Sequence, residues 1–304
     1  MFKTWMNQIK ISYMLHPLAP MLIKEGKETA DPSVPDMAFV RTEHYELGHT
    51  VYIPGSSTKG ILRSHAEKIA RAARMYVCDL FTNSCNNRQN ISQDTTGKEA
   101  YKLSCIICKT FGSTQLASRI RFTDAYPSPE QLHTDQDPNR TELRCGVAID
   151  RLLGSVAHGP FDLEVVTRGT FQGEITLRNV ALWQVGLLGL TLKHLNDGMV
   201  QFGFAKSRGL GRVELKLDQI KISASIQNHV LKGIAAGSYE AIRREYGLEK
   251  IVGSDQITLS AYQEDKSWAL GLWKDIWLNE DQSWEFLRLC AIGPLAQFIE
   301  LNHC

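Results

Sequence analysis

Two short basic runs carry the densest chemistry in the 304-residue chain. In the first, Ser56-Ser57-Thr58-Lys59 follows Pro54-Gly55 and opens a segment with Ile61, Leu62, Ala66, Ile69, Ala70 and Ala73 at helical spacing. A helix starting there aims free backbone N–H groups, two serine hydroxyls and Lys59 at one point, which suits a phosphate. Lys59, Arg63, Lys68, Arg71 and Arg74 oppose only Glu67, and Arg63, Glu67, Arg71 and Arg74 share a face by i,i+3 and i,i+4 spacing. A solvated helix face carries the same pattern. Three residues, not five, separate Gly55 from Lys59, so this is no P-loop. The second run, Gly203 to Arg212, interleaves Lys206, Arg208 and Arg212 with glycines and no acid. That composition lets backbone approach a phosphate chain closely, and it also fits a plain glycine-rich turn. A dinucleotide fingerprint is disfavoured because Glu214 stands where its third glycine belongs.

Four cysteines follow the first run: Cys78, Cys85, Cys105 and Cys108. The C-x2-C pair presents two thiolates to one metal, and the two earlier thiols complete a tetrahedral zinc site that would order a segment too polar to fold by burial. His65 is an alternative ligand, and ordinary reduced thiols are the alternative to any site. The loop over residues 24–50 holds Asp31, Asp36, Arg41, His44 and His49, groups able to serve acid/base or metal-assisted attack on a phosphodiester but also ordinary solvated charges. No GxSxG or HExxH pattern occurs.

The elements that must position these residues can be read by periodicity. Alternation at Ile9, Ile11, Tyr13 and Leu15 predicts a strand over 7–15, and residues 57–77 a helix. Apolar runs at 120–122 and 147–149 flank a polar excursion, as in a strand interrupted by a mobile loop. Further strands are expected at 161–167 and 170–177, a core helix at 180–196 and a last strand at 213–222. Strand, helix, strands, helix, strand is the order of a ferredoxin-like or RNA-recognition-motif-like α+β domain with large insertions. Residues 223–304 read as a helical extension with four of the six tryptophans, giving expected units of 1–222 and 223–304.

Composition sets the outer limits. Hydrophobic residues make up 43% and charged residues 22%, ordinary globular values that exclude a disordered or collagenous chain. The net charge of +1 is uneven, since residues 221–304 hold 8 basic and 11 acidic side chains and leave the excess of cations upstream. Seven cysteines are too few for a disulfide scaffold. With no apolar run near ~18 residues and no signal-peptide pattern, a soluble cytoplasmic protein without membrane contact is expected.

Taken together, the motifs resemble one family. Tyr52 to Arg63 resembles the "IPGSSLKGxLR" segment of the RAMP proteins, the repeat-associated subunits of CRISPR effector complexes. Cys105 to Ser113 with Ala117-Ser118-Arg119 and Phe122-Thr123-Asp124-Ala125 is similar to their "CxxCxLFGS…ASRxxFxDA" block. Val147 to Gly154, Glu164-Val165-Val166 and Gly203 to Val213 match later blocks in order. The backbone subunit of type III complexes is the best match. The resemblance implies guide-RNA binding through Ser56, Ser57, Lys59, Arg63, Arg119, Lys206, Arg208 and Arg212. It also implies a thumb-like hairpin around 144–165 that wedges bases apart. Partners would be guide RNA, target single-stranded RNA, further RAMP subunits and a large polymerase-like subunit. Asp36-Met37-Ala38-Phe39-Val40-Arg41 resembles a D-x-x-x-V-R loop whose aspartate cuts target RNA with a divalent ion such as Mg or Mn, which gives Asp36 the catalytic role. A non-catalytic backbone subunit, or a guide-processing endoribonuclease using a histidine such as His44, are the alternatives.

Overall fold

Alternation places Ile9, Ile11, Tyr13 and Leu15 of β1 (Asn7–Pro17) in the core, as expected. The computed structural model describes residues 4–26, 35–88, 91, 94–259, 263–270 and 273–302. After β1 come a hairpin, β2 (Arg41–His44) and β3 (Gly48–Val51), and helix α1 (Gly55–Ala72). The cysteine segment holds three short helices, α2 (Cys85–Arg88), α3 (Gly97–Leu103) and α4 (Ile106–Phe111). Strands β4 (Ile120–Phe122), β5 (Tyr126–Pro127), β6 (Glu142–Ile149), β7 (Val156–Val165) and β8 (Phe171–Arg178) lead to α5 (Leu182–Asn196) and β9 (Val213–Gln227).

The central sheet runs β9-β1-β8-β4 with every pair antiparallel. With α1 between β1 and β4, and α5 between β8 and β9, this is the split βαβ order of a ferredoxin-like α+β fold. Leu62, Ala66 and Ala70 of α1 and nearly all of α5 are buried.

Three stretches differ from their sequence reading. Residues 147–149 do not continue β4: they belong to β6, which pairs with β7 as a separate two-stranded hairpin. The reason is visible in burial, because β6 alternates half-buried and exposed residues instead of entering the core. The 24–50 stretch is not all loop, since Phe39 is fully buried, Lys24 bridges Phe39, and β2 and β3 pair. Asp31 lies outside the described residues. The C-terminal extension has the expected helices, α6 (Ile234–Gly237), α7 (Glu240–Tyr246), α8 (Glu280–Cys290) and α9 (Ala296–Asn302). It also contributes strands β10 (Val230–Lys232), β11 (Gln256–Thr258), β12 (Gln263–Leu270) and β13 (Trp273–Leu278), and β13 and β10 pair with β9 on the side away from β1.

α5 is apolar all round, and a helix of that kind needs cover on both sides. The sheet covers one side. On the other, α8 comes so close that a Cβ on Gly186 or Gly189 would run into the Cys290 backbone or Leu287. Asp255 joins the layers: its carboxylate accepts the backbone N–H of Leu182 (2.6 Å), the first residue of α5, and of Ala235 (2.6 Å) in α6.

Candidate nucleic-acid interface and metal centre

Helix α1 starts at a glycine for a steric reason. A Cβ on Gly55 would sit 2.7 Å from the Phe122 carbonyl oxygen and 2.8 Å from that of Thr123. Asp124 Oδ1 accepts the Gly55 N–H at 2.7 Å, so one terminal donor is already used. Ser56 is exposed, Ser57 and Lys59 are half-buried, and the first turn has no acidic residue. Burial and the neighbouring Arg63 hold the Lys59 ammonium below its usual pKa.

The glycine loop is locked onto the chain just after β1. Phe204 N–H donates to Leu22 O (2.7 Å) and Gly211 N–H to Pro20 O (2.8 Å). Gly203 and Gly211 have φ of +73° and +85°, and side chains there would collide with the carbonyls of Leu22 and Phe202. The anchoring leaves Lys206, Arg208 and Arg212 exposed, with the Arg208 guanidinium 5.3 Å from the Phe204 ring centroid. Burial and the charge of Lys68 on α1 lower the pKa of Lys206. The two basic runs, far apart in sequence, are thus electrostatic neighbours.

Two expected RNA ligands are placed otherwise. Arg119 is 2% exposed, donates to Asn179 O (3.1 Å) and lies 5.0 Å from the Tyr101 ring centroid, so it is a core residue and the reading of it as an RNA contact is corrected. Arg63 is mostly inside as well, donating to Glu67 Oε1 (3.3 Å), Gly112 O (2.9 Å) and Cys108 Sγ (3.6 Å). The Arg63–Glu67–Arg71 row expected from helical spacing is present as ion pairs.

The four cysteines converge. Cys78, Cys85, Cys105 and Cys108 are buried with all four sulfurs within 4.8 Å of one another, Cys78 to Cys108 at 3.6 Å and Cys105 to Cys78 at 3.7 Å. A tetrahedron of ~2.3 Å metal–sulfur bonds has edges of about 3.8 Å, so the donor set fits a metal ion. Cys105 caps α4, its Sγ accepting the Cys108 N–H (3.5 Å), and Cys85 Sγ accepts the Cys105 N–H (3.1 Å). Neighbouring Cys108 and Cys85 thiols stabilise a Cys105 thiolate and lower its pKa strongly. His65 is not a ligand here: its Nε2 lies 2.8 Å from His194 Nδ1 on α5.

Asp36 is exposed at the foot of the β6–β7 hairpin, Oδ2 accepting the Asp162 N–H at 3.0 Å. Arg41 is engaged with Glu164 (2.8 and 2.5 Å), which also accepts Phe39 N–H (2.8 Å) and the Thr141 hydroxyl (2.7 Å). Burial alone would raise the Glu164 pKa; Arg41, Thr141 and Phe39 together bring it below the usual value. Residue spacing did not reveal this ion pair, although both partners stand inside motif blocks.

A ferredoxin-like sheet with a basic helix terminus and a glycine loop of cations beside it is the architecture of a phosphate-backbone binder. The sequence model described as the RAMP superfamily matches residues 18–214, and the chain belongs to that superfamily. Membership makes it a CRISPR-associated, RNA-binding protein. No curated protein matches the chain. Among the described residues no helix is long and apolar enough to cross a membrane.

Proposed function

We propose that the chain is a backbone subunit of a cytoplasmic type III CRISPR effector complex, holding guide RNA by its phosphates and cutting the paired target RNA at Asp36. The observation that carries the first half is the convergence of cations from two distant runs, with Lys59 beside Arg63 on α1 and Lys206 of the glycine loop near Lys68 of the same helix. Phosphates along Ser56, Ser57, Lys59, Lys206, Arg208 and Arg212 relieve that repulsion and carry no sequence information, which leaves specificity to base pairing. Residues 1–222 form the RNA-binding unit and 223–304 the extension packed on it, with further RAMP subunits and the large polymerase-like subunit as partners. Zinc is the ion assigned to the four thiols, because a closed four-sulfur tetrahedron is its usual structural site.

In cleavage, the target's 2′-OH attacks the adjacent phosphorus, the bond to the 5′ oxygen breaks, and a cyclic phosphate and a 5′-hydroxyl remain. From an exposed position beside the hairpin, Asp36 orients the 2′-OH and receives its proton, and solvent water supplies the proton that completes the 5′-hydroxyl. A Mg or Mn ion, when bound, neutralises phosphate charge, with Asp36 as a protein ligand. A non-catalytic scaffold is the second reading, favoured by Arg41 being engaged in an ion pair with Glu164. Cleavage of guide-paired RNA by the assembled complex, wild type against Asp36→Ala with and without EDTA, tests both. Loss of at least ~100-fold with assembly intact is expected. Undiminished cutting by Asp36→Ala assigns the chemistry to another subunit, and EDTA-resistant cutting lost in His44→Ala would support the histidine mechanism.

A further inference from the structure

The β2–β3 hairpin and β5 bring four rings into one row. His44 lies 4.8 Å from Tyr45 and 4.5 Å from Tyr126, and Tyr126 lies 5.9 Å from Tyr52 with 17° between their planes. This row is not core: Tyr45 is 88% exposed, and His44, Tyr52 and Tyr126 are only half-buried. Its members are nevertheless held in place. His44 Nδ1 accepts the N–H groups of Glu46 and Leu47 (3.3 Å each), and Asn139 Oδ1 accepts Val51 N–H (2.9 Å) and the Thr50 hydroxyl (3.1 Å), pinning the hairpin to the segment after β5.

The row begins where the phosphate site ends. Tyr52 lies three residues before Gly55, and Asp124, which accepts the Tyr126 hydroxyl (3.5 Å), also accepts the Gly55 N–H at the start of α1. Exposed Glu43 and Glu46 flank Tyr45 and repel a phosphate there, while a neutral base face is welcome on the ring. We infer that Tyr45, His44, Tyr126 and Tyr52 form a stacking platform for unpaired bases of a single-stranded RNA whose phosphates run past the start of α1. The inference rests on the RNA-binding reading above and adds to it where the bases go. Stacking of this kind tolerates any base, since every base has a π face.

The full-length protein can be titrated with single-stranded RNA carrying 2-aminopurine, whose fluorescence falls on stacking, at several salt concentrations. Tyr45→Ala, at a position too exposed to matter for folding, is expected to weaken binding roughly 5- to 100-fold, abolish the quench and leave the salt slope unchanged. Tyr45→Phe should restore both. Lys59→Ala should keep the quench and reduce the salt slope by about one. Wild-type affinity and quenching in Tyr45→Ala, with wild-type protein binding RNA normally, overturns the platform alone. Failure of the wild type to bind single-stranded RNA overturns the RNA-binding reading with it.

Discussion

Arg63 stands one helical turn from Lys59, yet its guanidinium points at Cys108 Sγ and Gly112 O. Four thiolates around a divalent ion carry a net charge of −2, and Arg63 is placed to offset part of it. Groups that hydrogen-bond to metal ligands typically govern affinity by about 10- to 100-fold. Arg63→Ala is therefore expected to speed metal transfer to a colorimetric chelator about tenfold or more, while Lys59→Ala leaves it unchanged. Equal transfer rates would return Arg63 to the phosphate set. The sequence showed the helix face on which Arg63 lies but not its partner, because periodicity fixes a direction around one helix and says nothing of what packs there. Arg119 was misread for a similar reason: a cation inside a motif block looks the same whether it meets RNA or, as here, a tyrosine ring in the core.

Among the elements, α5 was legible as a core helix from its apolar run, but its cover was not. Two glycines one turn apart, Gly186 and Gly189, were the available sign that another backbone approaches. The strands of the extension escaped notice because Trp273, Ile276 and Trp277 stand at i, i+3 and i+4, the spacing of a helix face. Asp255 ties this extension to α5. Burial pushes its carboxyl up to about 7, against the pull of the Leu182, Ala235 and Ala236 N–H donors. An acid with a folded pKa above its unfolded value near ~3.9 favours the fold most when protonated. Its contribution is accordingly complete below about pH 4 and declines as the pH rises toward 7. Denaturant titrations across that window should show this decline in wild type and no such slope in Asp255→Asn. Asp255→Ala, which strips two helix starts of their acceptor, is expected to cost about 2 kcal/mol. A wild-type profile parallel to that of Asp255→Asn would mean the three donors outweigh burial.

For the molecule as a whole, the ferredoxin-like order was readable from the alternation of strand and helix signals, and the fourfold cysteine convergence from one C-x2-C pair plus two distant thiols. What could not be read was how polar residues 78–111 are kept in shape. Their described buried hydrophobic side chains are the four converging cysteines with Ile91, Ala100, Tyr101, Ile106, Ile107 and Phe111. Stripping the metal should therefore lower the melting temperature by roughly 5–10 °C and open this segment first to limited proteolysis. Circular dichroism melts before and after chelation, followed by mapping of the cuts, make the measurement. An unchanged melt with metal fully removed would show that the thiols hold the segment without an ion.

The pairing of β9 on both sides has a consequence for how copies of such a chain can line up. Its long backbone meets β1 on one side over residues 213–224, while β13 and β10 cover the other over residues 220–227 and, among the described strands, none pairs with 213–219 there. Beyond β13 lies β12, and the opposite border is only β4 and β5, three and two residues long. Borders this short give a neighbouring copy little to pair with, and on the open stretch of β9 the Asn196 side chain already occupies the Leu215 N–H and carbonyl. Their spacing along a shared strand of RNA would then be dictated by the nucleotide count each one covers, and the ruler would be the nucleic acid.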